Sequence, residues 1–172
     1  MIRIRQATDD DWPAILDVHR RAFGRDEEAG MADAVRSSDG FVAELSLVAL
    51  ADEATSRCQT HGHVLTSWVG LEGSERRLLQ LGPIAVLPEL QGQGIGSALV
   101  RASLDAARAL GEPLVLLEGN PKYYSRFGFV RADELGLLPP PQALYDWAFQ
   151  VAVLDEAAQL PRGRVVYPPT FS

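Results

Sequence analysis

Leu81-Gly82-Pro83-Ile84-Ala85-Val86-Leu87-Pro88-Glu89-Leu90-Gln91-Gly92-Gln93-Gly94-Ile95-Gly96-Ser97-Ala98-Leu99 reads as a strand that leads through a glycine-rich turn into a helix. Glycines at 92, 94 and 96 permit unusual dihedrals and close approach of a ligand. The unpaired N–H groups and positive dipole end of the helix then favour an anion such as a pyrophosphate. Glycines before a helix also occur in ordinary turns, so the surroundings have to decide. A P-loop is excluded, because no Gly-Lys-Ser/Thr ending places a lysine near a terminal phosphate. A dinucleotide-binding turn matches at Gly92 and Gly94, and Glu118 ends the next strand where a ribose-binding acid would stand. Its third glycine position, however, is Ser97, and the turn lies deep in the chain.

Working outward, the helix Gly94 to about Leu110 carries Ile95, Leu99, Ala102, Ala106 and Leu110 at helical spacing, and Gly111 ends it. Leu114-Val115-Leu116-Leu117-Glu118 follows as a short apolar run of the kind found in a buried strand. Strand, helix, strand in that order implies a right-handed crossover with the two strands parallel. Upstream, Leu45 to Leu50, Gly62 to Val69 and Arg77 to Val86 read as three antiparallel strands. The N-terminus alternates as a first strand from Ile2 to Gln6. Thr8-Asp9 caps a helix to about Phe23, and Asp26 starts a second, shorter one. Downstream come a short helix from Pro121 to Phe127, the stiff connector Pro139-Pro140-Pro141, and closing strands at Ala148 to Leu154 and Arg164 to Tyr167. The fold class predicted is α/β (α+β): a mixed, mostly antiparallel sheet of about seven strands flanked by helices, in a single domain over residues 1–172.

The 172 residues are 47% apolar and 23% charged, the composition of an ordinary globular protein. A formal charge of -7 argues against a general affinity for nucleic acid, so an anionic cofactor needs a local site, which the turn supplies. The one cysteine, Cys58, has no internal partner, and no apolar run is long enough for a membrane span, so a cytoplasmic setting is expected.

Gln91-x-x-Gly94-x-Gly96 after a Val-x-Pro strand end resembles the acetyl-CoA motif of the GNAT N-acetyltransferases. Tyr123-Tyr124-Ser125-Arg126-Phe127-Gly128-Phe129 resembles their second signature. The order of elements resembles that family's fold along essentially the whole chain. Asn120-Pro121-Lys122-Tyr123-Tyr124 and the ending Val166-Tyr167-Pro168-Pro169-Thr170-Phe171 resemble a bacterial branch of uncharacterised members.

The resemblance implies transfer of an acetyl group from acetyl-CoA to an amine by direct attack in a ternary complex. It gives the Gln91, Gly92, Gln93, Gly94, Ile95, Gly96 and Ser97 amides the pyrophosphate, and the backbone of Ile84, Ala85 and Val86 the pantetheine arm. Asn120, Tyr123 and Tyr124 complete the cofactor site, with Tyr124 in the family's acid position. Gly82-Pro83 reads either as a bulge that opens the sheet beside the cofactor or as a plain bend.

An amine attacking a thioester passes through a tetrahedral oxyanion and expels a thiolate, so an acid near the sulfur is wanted. Either tyrosine has the alternative role of a core ring. The base stays unassigned among Glu118, Asp26, Glu27, Glu28 and water. Lys122, Arg101 and Arg126 are candidate partners for the 3′-phosphate. His61 and His63 with Cys58 are read as a surface pattern in a polar loop, with no metal expected. The acceptor is a small-molecule or peptide amine, and the oligomeric state, a homodimer included, stays open. A non-catalytic acyl-CoA sensor and an NAD-dependent oxidoreductase are the competing readings.

Overall fold

Thr8 and Asp11 decide how the first helix starts. The Asp11 carboxylate accepts the Thr8 amide at 2.7 Å and the Thr8 hydroxyl at 2.9 Å, so Asp9–Asp11 closes as a 3-10 turn and the α-helix begins one residue later. Arg5 grips the same carboxylate at 2.7 and 2.9 Å and holds its pKa down at about 2.

In the computed structural model, which describes residues 2–51 and 59–171, the elements run β1 (Ile2–Gln6), α1 (Trp12–Phe23), α2 (Glu27–Arg36), β2 (Ser46–Ala51), β3 (Thr60–Leu71), β4 (Ser74–Val86), α3 (Ile95–Ala109), β5 (Leu114–Glu118), α4 (Pro121–Tyr124), β6 (Phe129–Arg131), β7 (Leu137–Leu138), β8 (Phe149–Val153) and β9 (Gly163–Val166). Gly24 ends α1 in the left-handed conformation, as its position predicts. Asp26 precedes α2 but makes no side-chain cap. Its carboxylate accepts from Arg20 at 2.8 Å instead.

The sheet order is β1-β2-β3-β4-β5-β8-β6, with β9 joining the far end of β3 and β7 pairing with β9. Both faces are covered, which is why Leu47-Val48-Ala49-Leu50 is apolar throughout. Leu47 and Ala49 meet Leu99, Val100 and Leu104 of α3, whereas Val48 and Leu50 meet Trp12, Ile15 and Val35 of α1 and α2. A Cβ on Gly62 of β3 would fall 2.9 Å from the Ala85 carbonyl oxygen and 3.0 Å from Leu99, so glycine is what lets α3 lie this close. The inner face of α3 departs from the expected stripe. Ser103 is buried, with its hydroxyl 2.7 Å from that of Thr66, while Leu110 is exposed past the helix end.

The mixed, mostly antiparallel sheet and the parallel β4–β5 crossover agree with expectation. The described strands number nine instead of about seven, because β6 and β7, three and two residues long, are too short to show a period. β7 and β9 add a second, two-residue parallel pair.

The way β4 and β5 separate shapes the surface between them. β4 and β5 pair only at Leu79↔Val115 and Gln80↔Leu116. Beyond them β5 continues alongside β8 to Glu118, and β4 continues alongside β3. At the point of parting, two β3 steps (Val64 to Thr66) oppose three β4 steps (Ile84 to Leu81), so the Gly82-Pro83 pair, joined by a cis peptide, forms a bulge. Of the two readings of that pair, the bulge is the one the register shows. No helix among the described residues is long and apolar enough to cross a membrane.

Candidate active site

The turn after β4 has the conformation its glycines predict. Gly92 and Gly94 take φ of 75° and 87°, in the left-handed region, and Gly94 is the N-cap of α3 without a side-chain cap. The first intrahelical bond is Ala98 N–H to the Gly94 carbonyl at 3.0 Å, so the amides of Ile95, Gly96 and Ser97 have no carbonyl of their own helix to bind. Two glutamines hold the turn in shape: Gln91 Nε2 donates to the Val86 carbonyl at 3.0 Å, and Gln93 Nε2 to the Glu89 carbonyl at 3.3 Å.

These amides face a cavity of about 450 Å³. Its wall brings together Ile84, Ala85, Val86, Gln91, Gly92, Gly94, Ile95, Gly96, Ser97, Tyr123 and Tyr124, residues from three separate parts of the chain that the sequence had grouped. Gln93 is not on that wall, being turned onto Glu89. Asn120 lies on a neighbouring cavity, where its Oδ1 accepts the Lys122 amide at 3.0 Å and starts α4. Of the three candidate cations, only Arg126 borders this cavity, stacked over the Tyr123 ring at 4.7 Å. Arg101 sits over Phe127, and Lys122 faces the other cavity.

The two tyrosines have different settings. Tyr123 OH is 3.3 Å from Ser97 Oγ and ties α4 to the start of α3. The Tyr124 ring packs among Tyr123, Phe127 and Phe129 and against the backbone of Gly119, where an added Cβ would fall 2.9 Å from Cδ2 and nearer still to Cε2. Burial, with the Tyr123 hydroxyl adding to it, pushes the Tyr124 phenol up to about 12. It therefore keeps its proton at every physiological pH and is a donor.

The second cavity, about 1010 Å³, lies on the other side of the parting strands. Gln80 to Pro83 of β4, Glu118 and the residues after it, and Glu28 and Met31 of α2 line it, together with Tyr145, Trp147, Tyr167 and Phe171. Leu144 N–H donates to Glu118 Oε1 at 2.8 Å, fastening the loop before β8 to the end of β5. Gln80 Nε2 donates to Tyr167 OH at 2.5 Å. Burial first, and then the charge of Glu118, push the Tyr167 phenol up, against the opposing Gln80 bond. Of the three acids between the first helices, Glu28 alone faces this cavity, with its carboxylate held by Arg25 and its pKa lowered by that contact. Glu118 faces here and not the glycine turn, which leaves the dinucleotide reading without its ribose acid. The sequence did not single out Gln80, Tyr145, Trp147 or Tyr167 for the site; the aromatic pair Tyr145-x-Trp147 inside a proline-rich connector was the available signal.

The His61 and His63 reading needs correction. Both belong to β3, not to a polar loop, and His63 is fully buried, because the strand starts at Thr60 and His63 points toward α1. Its Nδ1 lies 2.9 Å from His19 Nε2 and its Nε2 3.0 Å from Ser46 Oγ. Cys58 lies outside the described residues, and among those described no three His, Cys, Asp or Glu side chains gather as metal ligands.

Burial lowers the His19 pKa to about 4 and that of His63 well below 6.5, so both rings are neutral in the fold. The unfolded chain binds more protons below pH 6.5, so stability is full above that pH and falls as pH drops toward 4. At pH 5 the His19 shift alone removes on the order of 2 kcal/mol. A thermal midpoint about 4–8 °C lower at pH 5 than at pH 7.5 is expected, with a flatter dependence in His19→Gln.

Residues 3–132 match the acetyltransferase (GNAT) domain family. The chain belongs to the GNAT N-acetyltransferases. It is 37% identical over 166 residues to the uncharacterised N-acetyltransferase YhbS of Escherichia coli (strain K12), covering 94% of this chain and 93% of that protein. The crystal structure of the GNAT protein YhbS of Escherichia coli in complex with CoA superposes with a TM-score of 0.88 at 32% identity, over 99% of this chain and 91% of that one. A GNAT acetyltransferase of Brucella melitensis, solved with acetyl-CoA, gives 0.80 at 30% identity, over 100% and 99% of the two chains.

Proposed function

We propose that this GNAT chain, acting as one domain over residues 1–172, binds acetyl-CoA in the smaller cavity and transfers its acetyl group to an amine held in the larger one. The observation that carries the reading is the parting of β4 and β5. Ile84 to Val86 line one cavity and Gln80 to Pro83 the other, so consecutive stretches of one strand form the border between them. The smaller cavity fits the cofactor on its own chemistry. Two left-handed glycines have nothing within 4 Å of their Cβ positions, and the first-turn amides of α3 are open to an anion. That two related proteins were solved with CoA and with acetyl-CoA supports coenzyme A as the ligand.

Acetyl-CoA supplies a thioester: the acceptor ammonium gives one proton to water, the amine nitrogen bonds to the carbonyl carbon, the C–S bond breaks, the nitrogen loses its second proton and the sulfur gains one. Strand β4 beyond Gln80, free of β5, offers backbone groups to an extended ligand. Tyr124 stands on the wall of the cofactor cavity with a phenol that holds its proton and donates a hydrogen bond toward the leaving sulfur.

A melting comparison with acetyl-CoA, coenzyme A and NAD tests the cofactor. At 100-fold excess over Kd, a ligand of the folded state adds about 2.7 kcal/mol, hence about 5–10 °C for a chain of this size. Both coenzyme A species are expected to give that rise and NAD none. Acceptor-dependent release of free thiol then separates an enzyme from a sensor. A rise with NAD alone overturns the reading.

A further inference from the structure

We propose that the larger cavity selects an acceptor with a single ammonium group on an apolar aryl or alkyl body, the ammonium held by Glu118 and the body laid against Tyr145 and Trp147. This rests on the acetyl-transfer reading above and adds the class of acceptor to it.

The cavity wall carries three charged side chains, Glu28, Glu118 and Lys122, and one of them is committed to an ion pair. Glu28 is held by Arg25, and Lys122, the one cation on the wall, makes no ion pair with Glu118 among the described residues. Glu118 accepts one backbone N–H, from Leu144, and stands close enough to the half-buried Tyr167 phenol for its charge to be felt there. A carboxylate in such a place, in no ion pair among the described residues, attracts a cation. A single available acid holds a single ammonium. A polyamine would leave its other charges against apolar walls, at a desolvation cost with nothing to offset it.

The walls themselves favour a body without charge. Leu81 and Pro83 stand on the strand side, and Met31 and Phe171 on the helix side. At the rim Leu144, Tyr145 and Trp147 are 82%, 59% and 50% exposed, an unusual cost for three large side chains in four residues. The 3-10 turn Asp146–Ala148 and the Leu144–Glu118 bond hold them in place. The Tyr145 and Trp147 rings lie nearly parallel, 25° apart with centroids at 5.3 Å, as a flat surface for an apolar group. Glu118 thus fixes both the charge that receives the ammonium and the loop that carries the platform.

The test uses the full chain with coenzyme A or acetyl-CoA. A melting rise with coenzyme A is recorded first; its absence would end the acetyl-transfer reading and this proposal with it. On the coenzyme A-saturated protein, 2-phenylethylamine and hexylamine are each expected to add a further rise, and spermidine none. With acetyl-CoA, thiol release with the better apolar amine should exceed that with spermidine by about tenfold or more in kcat/KM, and the aryl and alkyl arms show which body is preferred.

Glu118→Gln, which keeps an oxygen for the Leu144 amide, should raise the amine KM about tenfold while the acetyl-CoA KM stays within about twofold. Trp147→Ala, at an exposed position where folding is not at stake, should narrow the preference for apolar amines. If the coenzyme A rise is present and spermidine or a peptide amine is the better acceptor, or neither apolar amine binds, or Glu118→Gln leaves the amine KM unchanged, the proposal is overturned while the cofactor reading stands.

Discussion

Tyr124→Phe is expected to lower kcat for acetyl transfer about 100-fold while leaving the acetyl-CoA KM within about threefold and the coenzyme A melting rise intact. The ring and the hydroxyl do different work. The ring fills the space between Phe127, Phe129 and the bare backbone of Gly119, and phenylalanine keeps all of that contact. Only the donor is lost.

A phenol held near 12 is a weaker acid than an ordinary thiol, whose pKa is about 8.5, so full proton transfer to a thiolate at rest is uphill. In the proposed mechanism Tyr124 therefore donates a hydrogen bond to the sulfur as its charge grows, with the proton drawn off the amine restoring the balance. That assignment has a second signature. Because Tyr124 stays protonated, the wild-type rate should show no basic limb from this group between pH 7 and 10, and any limb seen there should survive unchanged in Tyr124→Phe. A variant with wild-type kcat on a true acceptor would remove Tyr124 from the chemistry and leave it as a packing ring.

The parts of the site legible in the sequence are those where local backbone chemistry dominates. The turn at the three glycines in five residues and the short helix that carries Tyr123-Tyr124 have the conformations their sequence predicts, because both are fixed by their own residues. The structure then brings them to one cavity with Ile84 to Val86. What sequence alone did not disclose depends on distant contacts. Gln93 has the same side chain as Gln91 and folds back on an upstream carbonyl in the same way, yet Gln91 lines the cavity and Gln93 does not, a difference made by the turn as a whole.

His63 was misread because a strand that starts at Thr60 turns its side chain toward α1, where His19, 44 positions away, meets it. Neither histidine alone signals the pair. The larger cavity was least legible of all. Its walls come from α2, β4, the end of β5, the loop before β8 and the C-terminal segment, and only topology makes them neighbours. β6 and β7 follow the same rule, since strands of three and two residues are specified by their partners and not by any period of their own.

Gly96→Val separates the cofactor site from the fold more cleanly than a change at Gly92 or Gly94. Those two lie in the left-handed region, where a side chain costs about 1–2 kcal/mol of backbone energy wherever it points. Gly96 sits in the first turn of α3 without a positive φ, so valine is tolerated there by the backbone, and its helix propensity is no worse than that of glycine. The obstruction is local. A Cβ at this position would lie 3.1 Å from Tyr123 OH and 3.8 Å from Val86 Cγ2, and the branch methyls of valine extend beyond it.

Tyr123 must then leave Ser97, and the cavity wall thickens at the first turn of α3. Crowding of the backbone donors together with loss of close approach is expected to raise the acetyl-CoA Kd about 100-fold or more, which is on the order of 3 kcal/mol. The ligand-free melting temperature should move by no more than about 2–4 °C, the shift that 1 kcal/mol produces at this chain length. Gly30→Ala provides the matched control. It replaces a glycine inside α2 that has nothing within 4 Å of its Cβ position, so it should stabilise the chain by about 0.5–1 kcal/mol and leave the coenzyme A rise as in the wild type. If Gly96→Val kept wild-type affinity, the first turn of α3 would not be where the anion binds, and the smaller cavity would lose its cofactor assignment whatever the activity of the chain.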